Sequence, residues 1–580
     1  MIKLTSEQDK IIQEELHCLT LGAAGTGKTS TLVEKVAYLL ENKKAEANEI
    51  YISCFTYHGL LRMRALLQER LGKSAEGLVT GTLRDMAAHQ IEMVTGQPLE
   101  IASNSIVRRS LRQAMRDCSF EGTALEAEHY IRQFKGRARK PQENERYYDL
   151  FATYKSQIDR SGCVDYYDIV RQHLVGVRQG QYQLCPMKYI FVDNIQDVTR
   201  IQYLWFMDHI KAGATLNAFG DDEQGAFVRD GAIGSAVFEE FKELTGLKFF
   251  TLESNFRTPK RLGGAVQAVT QTLPDRQPKT VSFTKKEAGI LQVDEFKTNE
   301  EEIEAVLKHI KKAAKRERTC IVLRTDFLAS KWHLILAKHK IPHNCFAHTV
   351  WTIPGAIMLL DLLHILLNQG ENRHLKNVLL GYGLSPSLVE ALFASGLSAR
   401  DWLKNGAPLP VGVDLPNVTL KEYGALQRTL VGYYKLMTTG AVPPQEVFKG
   451  ASYDLLSGMS SEDRRSALLA LEELLSLEGD LSQILPKIND RRAFEIDATV
   501  VVAPAREVRN LEFDHVIMPV MTDQIFPYAG YKLMGIDMSH ERRLFYMAAS
   551  RAKKGLYISS VGKLSPLAKE VAQLFKSYTS

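Results

Sequence analysis

Apolar positions in the first hundred residues alternate between two rhythms. Cys18 to Leu21 is a short continuous apolar run, Gly22 to Lys28 is glycine-rich, and Thr29 to Leu40 spaces its apolar residues at helical intervals. That order predicts a buried strand, a tight turn and an amphipathic helix. Glu49 to Phe55 repeats the strand pattern, and Leu60 to Leu71 the helical one. Strand-like runs resume at Lys188–Asp193 and Thr215–Phe219, then at Ile290–Val293, Cys320–Arg324, Thr499–Ala503 and His515–Val520. Strands alternating with helices at this spacing build parallel sheets covered on both faces. Two helical stretches interrupt the alternation, a basic one over 89–184 and another over 350–488. The pattern therefore predicts two α/β domains, each carrying a helical insertion. Asn104–Arg116 and Glu301–Arg318 read as solvated helices.

Composition narrows this only slightly. A chain of 580 residues with 45% hydrophobic and 24% charged positions can bury more than one core. Its net charge of +5 permits a nucleic-acid partner without requiring one. The seven cysteines include no C-x-x-C pair, which argues against zinc or an iron–sulfur cluster. The polar N-terminus and the apolar run Ile357–Leu367, broken by Asp361 and His364, give neither a secretory leader nor a membrane span. A cytoplasmic protein with reduced thiols is expected.

Chemistry enters at Gly22-Ala23-Ala24-Gly25-Thr26-Gly27-Lys28-Thr29, which fits G-x-x-x-x-G-K-[ST] between a strand and a helix. The glycines let backbone N–H groups converge on phosphate oxygens, helped by the dipole of the following helix. Lys28 would reach the β- and γ-phosphates of ATP, and Thr29 would ligate Mg²⁺. A P-loop also needs an acid at the end of a neighbouring strand. Asp193, closing Tyr189-Ile190-Phe191-Val192, is the candidate second metal residue.

Further boxes follow in order. Asp193-Asn194-Ile195-Gln196-Asp197 resembles D-E-x-Q-D, Gly220-Asp221-Asp222-Glu223-Gln224 resembles G-D-x-x-Q, and Asn255-Phe256-Arg257-Thr258 resembles N-Y-R-S. Glu541 to Ala552 is similar to E-E-R-R-L-x-Y-V-A-x-T-R-A, and Val164 to Asp168 to a D-F-x-D element. Together these resemble the UvrD/Rep/PcrA-like superfamily 1 DNA helicases. The resemblance implies two RecA-like parallel-sheet P-loop domains, each with an inserted helical subdomain. Domain 1A would occupy 1–88 and 185–262 around insertion 1B at 89–184. Domain 2A would occupy 263–349 and 489–580 around insertion 2B at 350–488.

The resemblance also implies roles. Gln8 would read adenine, Phe256 would stack on the base, and Ser30 and Glu512 would join the nucleotide contacts. Gln224 would sense the γ-phosphate, and Arg257 and Arg551 would neutralise transition-state charge. Phe55, Thr56, Thr82, Phe227 and Arg506 would meet DNA, the aromatics by stacking. Single-stranded DNA or a single/double-strand junction is the implied partner, with 3′-to-5′ movement, in repair, replication or antiphage defence. No membrane partner is expected. A nuclease or other operon neighbour is a further possible partner. Gly381-Tyr382-Gly383 resembles a backbone-binding hairpin.

Departures from the family pattern bear on activity. Asn194 stands where the family has a glutamate that deprotonates water, and an amide cannot accept that proton. Losing a general base costs on the order of 10²–10⁴ in rate. Asp197 or Glu223 could substitute as base. Arg229-Asp230 replaces an aromatic–arginine pair, placing an acid where DNA phosphate is expected. Tyr57-His58 continues a worn T-F-T-N box, and the H-x-x-K-G-L-E box reads Arg506-Glu507-Val508-Arg509-Asn510-Leu511-Glu512. A slow ATP-dependent helicase or translocase is expected. The alternative is a hydrolysis-deficient, ATP-binding scaffold for a nuclease partner.

Overall fold

Continuous apolar runs lack a polar face, so strands built from them need cover on both sides. The computed structural model describes residues 4–346 (except 103, 123, 140, 314 and 315), 354–409 (except 395), 420–459, parts of 464–482, 498–527 and 538–577. Six strands form one sheet: β1 (Cys18–Gly22), β2 (Ile50–Ser53), β3 (Val79–Gly81), β4 (Tyr189–Asp193), β5 (Thr215–Gly220) and β6 (Lys248–Leu252). Their order is β3-β2-β4-β5-β1-β6, and every pairing is parallel. The two-residue period divides their side chains between two cores. Ile190 and Val192 join Leu19, Leu21 and Leu216 on one face, while Tyr189 and Phe191 join Ile50, Ile52 and Phe219 on the other. Helices α1 (Ser6–Gln13), α2 (Lys28–Glu41) and α3 (Tyr57–Leu71) contribute to the second core, and α4 (Leu83–Thr95) to the first.

Between β3 and β4 the chain makes α4, α5 (Asn104–Asp117), α6 (Ala124–Gly136), α7 (Tyr148–Arg160) and α8 (Ile169–Arg178). Helices α5 to α7 share a small core of Leu111, Ala114, Ile131, Leu150 and Tyr154. The D-F-x-D-like element closes this segment by charge pairing. Buried Lys135 reaches Asp165 at 2.8 Å and Asp168 at 2.7 Å.

Chain contacts divide the molecule into two units, Met1–Arg324 with Ala505–Ser580, and Thr325–Pro504. The first unit contains the sheet above and α9 (Arg200–Lys211), α10 (Ala236–Lys242), α11 (Lys260–Ala268) and α12 (Asn299–Lys312). It also holds the short parallel pair β7 (Ser254–Asn255) and β8 (Ser282–Phe283). Four further parallel strands lie in it: β9 (Ile290–Phe296), β10 (Thr319–Leu323), β13 (Phe513–Met518) and β14 (Ala552–Val561), ordered β10-β13-β14-β9. The second unit holds β11 (His343–Cys345) parallel to β12 (Val500–Pro504) and helices between Pro354 and Gly458. Its core includes Leu359, Leu363, Leu375, Trp402, Phe448 and Leu455. Among the described residues, no helix is long and apolar enough to cross a membrane. None of the seven cysteines is in a disulfide.

Of the strands that escape the apolar pattern, three do so for identifiable reasons. β3 has three residues at a sheet edge, β6 opens on exposed Lys248 and Phe249, and β14 contains Lys553, Lys554, Ser559 and Ser560. Nor are the two charged segments wholly solvated. α5 buries Leu111 and Ala114, and α12 buries Glu302, Val306, Leu307 and Ile310. The Glu302 carboxylate accepts Ser559 Oγ at 2.7 Å and the Val520 amide at 2.9 Å. Gly381 ends a helix instead of exposing a backbone hairpin. A Cβ there would come within 2.9 Å of Leu455.

Phe191 is fully buried in β4, two residues before Asp193. Phe191→Ala is expected to destabilise the protein by about 3–5 kcal/mol, read as a lowered thermal midpoint.

Candidate functional site

The turn after β1 requires glycine for two separate reasons. Gly25 and Gly27 have φ of 83° and 85°, a region costly for residues bearing a Cβ. Space is also lacking. A Cβ on Gly25 would fall 2.8 Å from Arg257 Cβ, and one on Gly27 2.8 Å from Gln8 Nε2. The turn leads into α2, which starts at Lys28 and aims its N-terminal dipole at the same point. Ala24, Gly25, Gly27, Lys28, Thr29 and Ser30 line a cleft of about 500 Å³, whereas Gly22, Ala23 and Thr26 lie behind it. Lys28 Nζ donates to Gly22 O at 2.6 Å and Ala23 O at 2.9 Å. Burial lowers its ammonium to about 8, against the pull of Asp221 and Asp193.

A chain of polar contacts links this lysine to the C-terminal arginine. Lys28 Nζ lies 4.0 Å from Asp221 Oδ2. That oxygen accepts Gln224 Nε2 at 2.6 Å, and Gln224 Oε1 accepts Arg551 Nη2 at 2.7 Å. Arg551 Nε is fixed on Met547 O at 2.8 Å. Other segments brace the turn. Asn255 Nδ2 donates to Ala24 O at 2.7 Å, the Phe256 amide donates to Gly25 O at 2.9 Å, and the Ala24 amide donates to Tyr546 Oη at 3.1 Å. Arg257 reaches Glu512 at 3.3 Å and Ser550 O at 3.1 Å.

Charge at the cleft is unbalanced. Its lining includes Lys28, Arg62, Arg257, Lys285, Arg551 and Lys553, but only two carboxylates, Asp193 and Glu512. Glu512 is already committed, 2.9 Å from Arg62 and 3.0 Å from Lys553. Burial would raise its carboxyl, but Arg257, Arg62 and Lys553 bring it to about 2. An anion of several charges suits such a surplus. At the other end, Phe256 is 40% exposed and Gln8 is buried beside Gly27. Gln8 Nε2 donates to Thr31 Oγ1 at 3.0 Å and Oε1 accepts the Thr5 amide at 3.0 Å. Each of those groups keeps one further hydrogen-bonding position.

Thr29 Oγ1 donates to Asp193 Oδ2 at 3.2 Å. Burial raises the Asp193 carboxyl, while Lys28 lowers it. A hydroxyl and a carboxylate oxygen side by side are hard donors suited to Mg²⁺, which fills its other positions with water and phosphate oxygens. Among the described residues, no group of three or more His, Cys, Asp and Glu side chains could hold a metal. A magnesium ion here would therefore depend on a phosphate ligand.

Both carboxylates considered as a replacement base are bonded within the fold, although Asp197 Oδ1 has no hydrogen-bond partner. Glu223 is fully buried, accepting from Gln267, Thr270 at 2.9 Å and Arg276 at 2.5 Å. Asp197 is paired with Arg509, and burial raises its carboxyl to about 6 despite that pairing. Asn194, 4% exposed at φ 65°, donates from Nδ2 to Asn510 Oδ1 at 2.7 Å.

The strand-binding candidates lie outside the cleft lining. β2 and β3 are neighbours, and Thr56 and Thr82 N-cap the helices that leave them. Phe55 packs partly against the core, and Arg506 lies 3.5 Å from Glu507. One face of Phe227 is covered by the Arg509 guanidinium, 4.0 Å from the ring centre, which limits it as a stacking floor. Asp230 is 3.1 Å from both Arg132 and His129. Its carboxyl is held well below the usual range, because these partners outweigh the effect of burial. The acid is thus matched within the fold and does not stand as a bare charge against phosphate.

Sequence reasoning missed Arg62, Leu66, Lys285, Asn510 and Lys553 in the cleft lining. It also missed Lys279, a fully buried cation within 4.0 Å of Asp221, Asp222 and Glu223. An isolated lysine carries no signal of this. Asn510 alone was visible, as a departure within a recognisable box.

Comparison with known proteins agrees with this geometry. Residues 4–233 match the model of the UvrD/REP helicase N-terminal domain, and residues 250–406 and 472–563 that of the UvrD-like helicase C-terminal domain. The chain belongs to the UvrD-like helicase family. An ATP-dependent DNA helicase PcrA from Staphylococcus epidermidis is 22% identical over 607 residues, covering 96% of this chain and 83% of that protein. A PcrA from Staphylococcus aureus is 21% identical, covering 96% and 82%.

Two predictions concern how this UvrD-like site is held. Lys279→Met removes the cation shared by three buried carboxylates and is expected to cost about 3–5 kcal/mol at pH 8. Burial raises Asp222 to about 6, even with Lys279 beside it. The folded state therefore takes up a proton more readily than the unfolded chain, and ionisation lowers stability as pH rises toward 6. The variant's deficit should accordingly shrink between pH 8 and pH 5.5 in parallel thermal scans. Asp230→Arg, which inserts the family's residue type, would face Arg132. It should lower stability by about 2 kcal/mol without raising affinity for single-stranded DNA, checked by thermal scanning and fluorescence anisotropy.

Proposed function

We propose that this UvrD-like protein is a slow ATP-driven motor on single-stranded DNA, moving 3′ to 5′ in repair, replication or antiphage defence. The observation carrying this reading is the buried Lys28–Asp221–Gln224–Arg551 chain. It joins the P-loop to the last helicase box through the residue best placed to detect a γ-phosphate. ATP would lie with its phosphates among Lys28, Arg257 and Arg551 and its base between Gln8 and Phe256. When bound, magnesium would be held by Thr29 and Asp193 and would neutralise phosphate charge. Lys28, released from the Gly22 and Ala23 carbonyls, would donate to phosphate oxygens, and arginine donors would meet charge developing in transfer. On this reading the RecA-like and inserted domains keep the divisions given above. Phe55, Thr56 and Thr82, at adjacent strand ends, begin the DNA track.

A second reading is favoured by one observation. The amide of Asn194 is tied to Asn510, and position 194 itself carries no carboxylate. A nucleotide-gated DNA-binding subunit working with a nuclease partner would need tight ATP binding and little turnover.

Phosphate release with and without single-stranded DNA tests the motor. The unsubstituted protein should turn over faster with DNA, and Lys28→Ala should reduce DNA-dependent release about 10²-fold or more. If the unsubstituted protein binds ATP but releases phosphate no faster than Lys28→Ala, the gated-subunit reading replaces the motor. Should it bind no ATP, both readings fail.

A further inference from the structure

Two of the places where this chain departs from its family pattern, Asn194 after β4 and Asn510 before β13, are in direct contact. Asn194 Nδ2 donates to Asn510 Oδ1 at 2.7 Å, and both side chains line the cleft with Lys28, Thr29, Asp193 and Arg551. Each has a left-handed backbone, φ 65° and 62°, which asparagine tolerates better than most residues. The turn bearing Asn510 is pinned from the same side. Arg62 Nη1 donates to the Asn510 carbonyl at 2.5 Å, Arg62 Nη2 is 2.9 Å from Glu512, and Arg509 pairs with Asp197. The amide of Asn510 is thus held beside residue 194 by three neighbouring attachments and cannot easily withdraw.

We propose that Asn510 is a positioning residue for hydrolysis, controlling what any side chain at position 194 can do to water. This rests on the cleft being the ATP site. With asparagine at 194, one hydrogen bond joins the two amides, the Asn194 oxygen accepts from Gln196 Nε2 at 3.5 Å, and the pair forms a neutral clasp beside Asp193. With a carboxylate at 194, the Asn510 amide would turn its NH₂ toward the new anion, with the Arg62 guanidinium close behind. These donors would aim its oxygens at Asn510 and Arg62 and away from water. Slow turnover is therefore a property of the pair, and restoring an acid at 194 alone does not restore hydrolysis.

The test is a double-mutant cycle in single-turnover ATP cleavage with saturating single-stranded DNA. It uses the full chain as wild type, Asn194→Glu, Asn510→Gly and the double variant, with binding of a fluorescent ATP analogue measured in parallel. Glycine suits the backbone at 510. Asn194→Asp, which keeps the asparagine shape and tolerates the left-handed backbone, runs beside Asn194→Glu in case the longer side chain disturbs folding. Each single change should alter cleavage less than about tenfold. The double should exceed the product of the singles by about tenfold or more, within the range of a general base. Binding of the analogue should change little across the set, so that the gain lies in cleavage and not in affinity. The proposal is overturned if a single acid at 194 matches the double, if the two effects simply multiply, or if all variants bind the analogue and none cleaves faster. Absence of binding in the unsubstituted chain would instead remove the ATP site itself.

Discussion

A charge can be buried only where another charge or a set of hydrogen bonds meets it, and this constraint organises the centre of the molecule. Asp221, Asp222 and Glu223 are consecutive and have almost no access to solvent. Lys279 answers all three, Arg276 answers Glu223, and Arg543 donates to the Asp222 carbonyl. With that cluster neutralised from behind, Asp221 can turn one carboxylate oxygen toward Gln224 and Lys28. The relay from the P-loop to Arg551 is therefore built against a second buried ion cluster. Packing alone would not hold Gln224 so firmly.

How much of this was legible follows from which interactions are local. The P-loop is encoded in eight consecutive residues, so its turn, its helix start and its glycine conformations could all be read from the chain. Buried central strands were legible because parallel sheets need unbroken apolar runs. β14 was not, since its serines and lysines are satisfied by distant partners such as Glu302. Roles that rest on long-range pairing were invisible. Lys279 sits in an unremarkable polar stretch, and Arg62 looks like any charged residue on a helix. Asp230 was legible as a departure but misread in consequence, because its partners Arg132 and His129 lie about a hundred residues away in the helical insertion.

Three departures from the family pattern are thus matched inside the fold. Asp230 has Arg132 and His129, Asn194 has Asn510, and Arg509 is shared between Asp197 and the face of Phe227. Each replaced side chain has a counterpart within the fold. The match is incomplete, because buried atoms of His129, Arg132, Asp197 and Arg509 have no hydrogen-bond partner, at a cost of about 1–3 kcal/mol each. The cleft keeps its six lining cations beside these exchanges.

On the proposed reading, the distribution of charge would let binding and turnover separate. Lys28, Arg257 and Arg551 contact other parts of the cleft and not residue 194, so their grip on a triphosphate would not rest on the side chain at 194. Six cations facing two carboxylates repel one another, and burial lowers the Lys28 ammonium to about 8. A polyanion relieves both penalties, so ligand binding should draw the P-loop, Arg257 and Arg551 together and stabilise the first unit. On the proposed reading, cleavage would remove that stabilisation by sending the γ-phosphate away, and a site that grips through cations without a base at 194 would hold its ligand long relative to chemistry. The neutral amides beside Asp193, and not the charges around the phosphates, would then set how long.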